Sequence, residues 1–152
     1  QVLVSKKSQN IHSIQDMTDK VLGAQAGSSG YLNFEGQSEL LKNRVKDQKA
    51  NQYQSFNEAL IDLKNDRIDA LLIDRVYANY YLQSEGILND YNVFSAGFES
   101  EAFAVGVRPA DKTLLAALNQ AFISLYQEGK FQEISQKWFG EDVATSQVKN
   151  QE

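Results

Sequence analysis

The run Leu22-Gly23-Ala24-Gln25-Ala26-Gly27-Ser28-Ser29-Gly30 carries the clearest potential for chemistry in this chain, because it turns a strand into a helix through small residues. Such a bend leaves backbone N–H groups pointing outward, and the positive end of the helix dipole adds to them, so an anion is stabilised there. Ser28 and Ser29 add hydroxyl donors. The purely local alternative is that Ser29 caps the helix and the glycines make the turn. A nucleotide-type phosphate loop wants Lys before the serine, where this chain has Gly27. Glycines at 23, 27 and 30 also miss the dinucleotide spacing. A nucleophile elbow reads Gly-x-Ser-x-Gly, which Gly27-Ser28-Ser29-Gly30 does not. A carboxylate remains the simplest guest.

Asp74 is the second group. It ends the apolar run Ile68-Asp69-Ala70-Leu71-Leu72-Ile73 and precedes a helical pattern. In open α/β sheets ligands sit beyond the carboxyl ends of the strands, which puts Asp74 in the same crevice as the serine bend. An anion-holding turn and a carboxylate in one crevice complement the two ends of an α-amino acid. Asp74 also suits a helix cap, and both roles can coexist.

Other chemistries lack their residues. The chain of 152 residues has no cysteine, which removes thiol catalysis, disulfides and thiolate metal sites. His12 is the only histidine and lies in a polar stretch, where a solvated side chain is the simplest reading. No acidic residues show metal-loop spacing, so neither metal nor cofactor is expected. A net charge of −5 disfavours nucleic acid as a partner. No apolar run approaches the length that spans a bilayer.

The elements that must position these groups follow from periodicity. Gln1 to Ser5 reads as a strand. Ser13 and Asp16 mark the start of a short helix at about 14 to 19. Lys20 to Gln25 reads as a strand and Tyr31 to Val45 as a helix loosened by Gly36. Gln52 to Gln54 suits a short strand. Ser55 and Glu58 have capping-box spacing ahead of a helix at 56 to 65. Ile68 to Ile73 is a buried strand, Val76 to Gln83 a helix, and Tyr91 to Ala96 and Phe103 to Val107 are further strands. Asp111 caps a long helix carrying the stripe Leu114, Leu118, Ala121, Phe122 and Leu125, stopped at Gly129. A final helix over 130 to 139 holds Trp138 and Phe139 as core anchors, and the polar residues after Glu141 are expected to be disordered. The lysines and arginine at Lys42, Arg44, Lys46 and Lys49 read as a solvated face. Alternating strands and helices predict an α/β fold, with an open, mostly parallel sheet flanked by helices.

Four segments in order resemble the extracellular solute-binding proteins of polar amino-acid ABC transporters, family 3, whose fold is of the periplasmic-binding-protein type II. They are Val21 through Gly30; Ser55-Phe56-Asn57-Glu58-Ala59-Leu60 with Leu63 through Ala70; Phe98-Glu99-Ser100-Glu101; and Gly129-Lys130-Phe131-Gln132-Glu133-Ile134 with Lys137-Trp138-Phe139-Gly140. The resemblance covers about residues 1 to 140. It implies a two-lobed clamp that closes on an amino-acid ligand, works outside the cytoplasm and docks on a membrane permease.

By the same resemblance, Ser28 and Ser29 hold the α-carboxylate, Asp74 takes the α-ammonium, and Gly27 is counted among the ligand-binding residues. Gln25 touches the ligand side chain, with Ile73 beside it. Hinge crossings fall near Val4 and near Glu101 and Phe103. Residues 1–99 would form the second lobe, 100–107 a hinge strand, 108–140 closing helices of the first lobe, and 141–152 a tail. The remainder of the first lobe is expected to precede Gln1, so weak binding, and self-association or domain exchange through the helical stripe, are further expectations. A binding module is the principal reading and an enzyme is not expected. The rivals are a ligand-binding sensor domain, which shares every contact, and an enzyme on the same fold such as a dehydratase, which needs an acid or base not found here.

Overall fold

The computed structural model describes residues 1–149, which divide into two compact units, one of residues 1–100 and one beginning at Glu101. The first unit is built on a sheet of five strands: β1 (Val2–Lys6), β2 (Leu22–Gln25), β3 (Ala50–Tyr53), β4 (Ala70–Ile73) and β5 (Tyr91–Ser95), in the order β3-β2-β4-β1-β5. β2 pairs parallel with β3 and with β4, while β1 pairs antiparallel with β4 and with β5. Four strands therefore run one way and β1 alone runs against them, so the sheet is mostly parallel as the alternating pattern predicts.

Helices α1 (Ser29–Gly36), α2 (Phe56–Lys64) and α3 (Arg75–Ser84) connect the like-directed strands. The period of two along each strand sends neighbouring residues to opposite faces. Leu3, Ala24, Ala70 and Leu72 pack with Phe34, Leu41 and Met17 on one face. Val2, Val4, Leu71 and Ile73 pack with Ala59, Leu60, Leu63 and Leu82 on the other. Burying each large aliphatic side chain is worth about 1.5–3 kcal/mol, so both faces hold the strands in place.

Local signals largely set the helix starts. Ser55 Oγ accepts from the Glu58 N–H at 3.3 Å, and Glu58 reaches back to the N–H of Gln54 at 3.2 Å. Ser13 and Asp16 form the expected cap, though the element is a short 3-10 helix, Ile14–Met17. The helix expected from Tyr31 to Val45 ends at Gly36, because glycine in a helix interior costs about 1 kcal/mol. Leu41 and Val45 still reach the core through the turns that follow.

The second unit opens with residues 101–108 in no regular element. The strand expected at Phe103–Val107 does not form, because a strand needs a partner's N–H and C=O groups and none of the described residues pairs with it. Phe103 is 76% exposed. The helices α4 (Lys112–Gln127) and α5 (Lys130–Phe139) follow, separated by Gly129 at φ +77. Asp111 stands at the N-terminus of α4 but does not cap it; its carboxylate accepts from Arg108 Nε at 2.7 Å instead. Within this unit Phe122 meets Phe131 edge-on at 6.3 Å, and Tyr126 meets it tilted at 6.2 Å.

Two further expectations fail here. Trp138 is 47% exposed rather than buried, because two amphipathic helices packed on one another cannot cover both of their apolar stripes. The tail is not wholly irregular: Ser146–Lys149 forms one helical turn, α6, and Lys149 pairs with Asp142 at 3.0 Å. The end of the predicted disordered segment, residues 150–152, lies outside the described residues.

Candidate functional site

Because β2, β3 and β4 are parallel and each leads into a helix, the N-termini of α1, α2 and α3 gather at one edge of the sheet. β2 and β4 are neighbours, with Ala24 beside Leu72. That is the last pair of the ladder, and two residues further along each chain stand Ala26, in the turn before the serines, and Asp74. The serine bend and Asp74 therefore leave the sheet side by side, at the edge where three helix dipoles present their positive ends.

The bend is built by its own residues. Gly27 takes φ +69, a conformation that a side chain would strain, and its surroundings are open. Ser28 is the N-cap of α1: its Oγ accepts from the Tyr31 N–H at 3.1 Å and donates to the Gln25 carbonyl at 2.8 Å. The Ser28 hydroxyl, expected as a donor to a guest, is thus committed to the helix. What the first turn of α1 can offer an anion is the backbone N–H of Ser29 and of Gly30, which have no acceptor one turn back, and the exposed Ser29 hydroxyl.

Asp74 caps α3, and its Oδ1 accepts from the N–H of Val76 at 2.8 Å and of Tyr77 at 3.1 Å. Both bonds fall on Oδ1. Among the described residues Oδ2 carries no hydrogen bond, and the side chain is only partly buried. The capping role thus occupies one oxygen of the carboxylate and leaves the other unbonded among the described residues.

Gln25 is partly buried, and its Nε2 donates to the Gln54 carbonyl at 3.1 Å, which fixes its amide at the same edge. Tyr53, its register partner on β3, donates its hydroxyl to Asp62 Oδ2 at 2.9 Å. Burial, then the Asp62 carboxylate, push the Tyr53 hydroxyl up to about 12, so it stays protonated and the bond persists. Asp62 itself is held below the ordinary carboxylate range by Arg67 first and Tyr53 second.

Two expected site residues are placed elsewhere. Ile73 is fully buried in the core face shared with Val2, Leu71 and Leu82, so its side chain is packed away from any solute at the strand tip. Val4, expected at a hinge, lies in the middle of β1 between Leu71 and Val93. A residue bonded into the sheet on both sides has no freedom to swing. Glu101 and Phe103 begin the second unit.

One further residue reaches this edge without a signal in the sequence around it. Gln1 precedes β1, whose antiparallel register sets Val2 beside Ile73 and so leads Gln1 to Asp74. Its Nε2 donates to Ser29 Oγ at 3.1 Å. Nothing local to Gln1 marks it, since the contact depends on the pairing of β1 with β4.

A family model for bacterial extracellular solute-binding proteins, family 3, matches residues 1–141. A solved substrate-binding protein of an ABC uptake transporter from Streptococcus pneumoniae, with bound histidine, is 72% identical. The match covers 95% of this chain and 58% of that one, with a TM-score of 0.83. A polar amino-acid ABC uptake transporter substrate-binding protein from Streptococcus thermophilus is 60% identical over 97% of this chain and 56% of its own, with a TM-score of 0.79. The ABC transporter arginine-binding protein 1 of Escherichia coli K12 is 28% identical over 141 residues, 91% of this chain and 54% of the relative. The chain spans about half the length of the curated relatives it matches.

Proposed function

This chain belongs to the bacterial extracellular solute-binding proteins of family 3, and from that premise we propose that it forms the part of an amino-acid-binding protein that grips the ligand's zwitterionic end. The observation that carries the reading is the shared sheet edge: the open first turn of α1 beside Asp74, one suited to a carboxylate and the other to an ammonium. The ligand class is a polar or basic L-amino acid, and Gln25 faces its side chain. The loaded protein delivers it to a membrane permease, outside the cytoplasm, without chemical change to the ligand. Closure would bend the chain near Glu101 and Phe103, where no regular element resists it.

L-histidine is the first ligand to try, since the 72% identical relative was solved with histidine bound. These 152 residues supply about half of such a protein, so fewer contacts and less exclusion of water limit affinity. We expect a dissociation constant on the order of 1 mM, read as saturable amide shifts at Ser29, Gly30 and Val76 in a nuclear magnetic resonance titration. No saturable change with histidine, arginine or glutamine overturns the reading.

The second unit adds an expectation of its own. Leu114, Leu115, Leu125, Ile134 and Trp138 are all exposed, and apolar stripes of this size favour association between copies. Light scattering should give a mass that rises with concentration; a constant monomer mass removes self-association from the account.

A further inference from the structure

Gln1 and Gly30 meet at the carboxylate end of the edge described above. The Gln1 side chain crosses from the start of β1 to the start of α1, where Nε2 donates to Ser29 Oγ at 3.1 Å. Its Oε1 lies over Gly30, only 2.7 Å from where a Cβ on that residue would sit. The room for the Gln1 amide thus exists because residue 30 has no side chain. The Gln1 backbone is tied as well, its carbonyl accepting from the Ala96 N–H at 3.2 Å.

A serine hydroxyl has one proton and two acceptor lone pairs. Once a lone pair of Ser29 Oγ is filled by the Gln1 amide, the hydroxyl proton is directed away from Gln1, and Ser29 itself is exposed. A carboxylate arriving there meets donors already turned toward it, and no rotor has to be reoriented on binding. We propose that Gln1 is a positioning residue of the binding site, acting through Ser29 to aim its hydroxyl proton at the ligand carboxylate. The inference rests on the amino-acid-binding reading above and adds to it a residue that touches no ligand.

Two variants test it from opposite sides. Gln1→Met removes the amide and keeps the length of the side chain. Gly30→Ala leaves Gln1 in place but fills the space its Oε1 occupies, and alanine is at least as good a helix former as glycine, so α1 persists. In titrations of the full 152-residue chain with L-histidine, each should weaken binding roughly tenfold, the worth of one ordinary hydrogen bond. Because Gln1 acts through Ser29, adding Gln1→Met to Ser29→Ala should cause no further loss, while thermal midpoints confirm folding. Unchanged affinity in both single variants overturns the proposal and leaves the amino-acid-binding reading standing, as does a Gln1→Met loss that multiplies with that of Ser29→Ala. Tighter binding in Gln1→Met also overturns it, since Gln1 would then be taking the Ser29 proton rather than releasing it. Failure of the unaltered chain to bind any polar amino acid removes both the reading and this inference.

Discussion

Asp74→Asn is expected to turn the L-histidine titration from saturable to flat while leaving the first unit folded. Oδ1 accepts from the N–H groups of Val76 and Tyr77, and in the proposed function Oδ2 is the oxygen that takes the guest's ammonium. Asparagine caps helices about as well as aspartate, so the Oδ1 role survives and stability changes by only a few tenths of a kcal/mol. The ammonium instead meets a neutral amide, and loss of one partner of a hydrogen-bonded charge pair costs about 2–5 kcal/mol. That is more than a site of about millimolar affinity can lose and still be detected. Asp74→Ala should lose binding to the same extent and, by removing the cap, about 1 kcal/mol of stability as well. For a unit of this size that lowers the thermal midpoint by roughly 4–8 °C. Retained binding in Asp74→Asn would show that the ammonium is held elsewhere, whatever Asp74→Ala does.

The largest effect on stability should come from Phe34→Ala. Phe34 is completely buried, packs with Leu41, Leu72 and Phe98, and stacks on Tyr31 at 6.3 Å. Removing a buried phenylalanine leaves a cavity and costs about 3–5 kcal/mol, a large share of the 5–15 kcal/mol that holds a typical domain. The consequence reaches the site, because α1 has only eight residues and is far too short to be stable unpacked. Its first turn, with Ser28 and Ser29, should loosen with it. Denaturant titration should show a midpoint lowered in proportion, and histidine affinity should fall in the surviving folded fraction. Leu32→Ala, on the same helix but 63% exposed, is the control and should change stability by less than about 0.5 kcal/mol. Equal effects from the two would mean that α1 is not held by its buried face.

Chain-local features were legible from the residues themselves. The Ser55 and Glu58 cap, the short helix start at Ser13 and Asp16, the stops at Gly129 and Gly140, and the apolar run ending at Asp74 all depend on neighbours within one or two turns. So does the α/β class, because the alternation of periods two and 3.6 is written along the chain. The errors are of one kind. Phe103 to Val107 has strand-like composition, but a strand exists only with a partner, and the alternating pattern cannot reveal whether one is present. Tyr31 to Val45 keeps helical spacing through Gly36, and the spacing does not report that Leu41 and Val45 can reach the core from turns. Trp138 looks like core on any hydrophobicity scale, yet burial depends on what packs against it.

By itself, then, the sequence determined which elements form, where most of them start and stop, and which two groups stand at strand ends, since each of these follows from interactions between residues close along the chain. Only the tertiary structure decided the strand order β3-β2-β4-β1-β5, the reversed direction of β1 and the pairing of Val4 on both sides. It also decided the meeting of Gln1 with Ser29, separated by 28 positions. Those depend on pairings between distant segments, where many registers satisfy the local pattern equally and the two-sided packing of the core selects one.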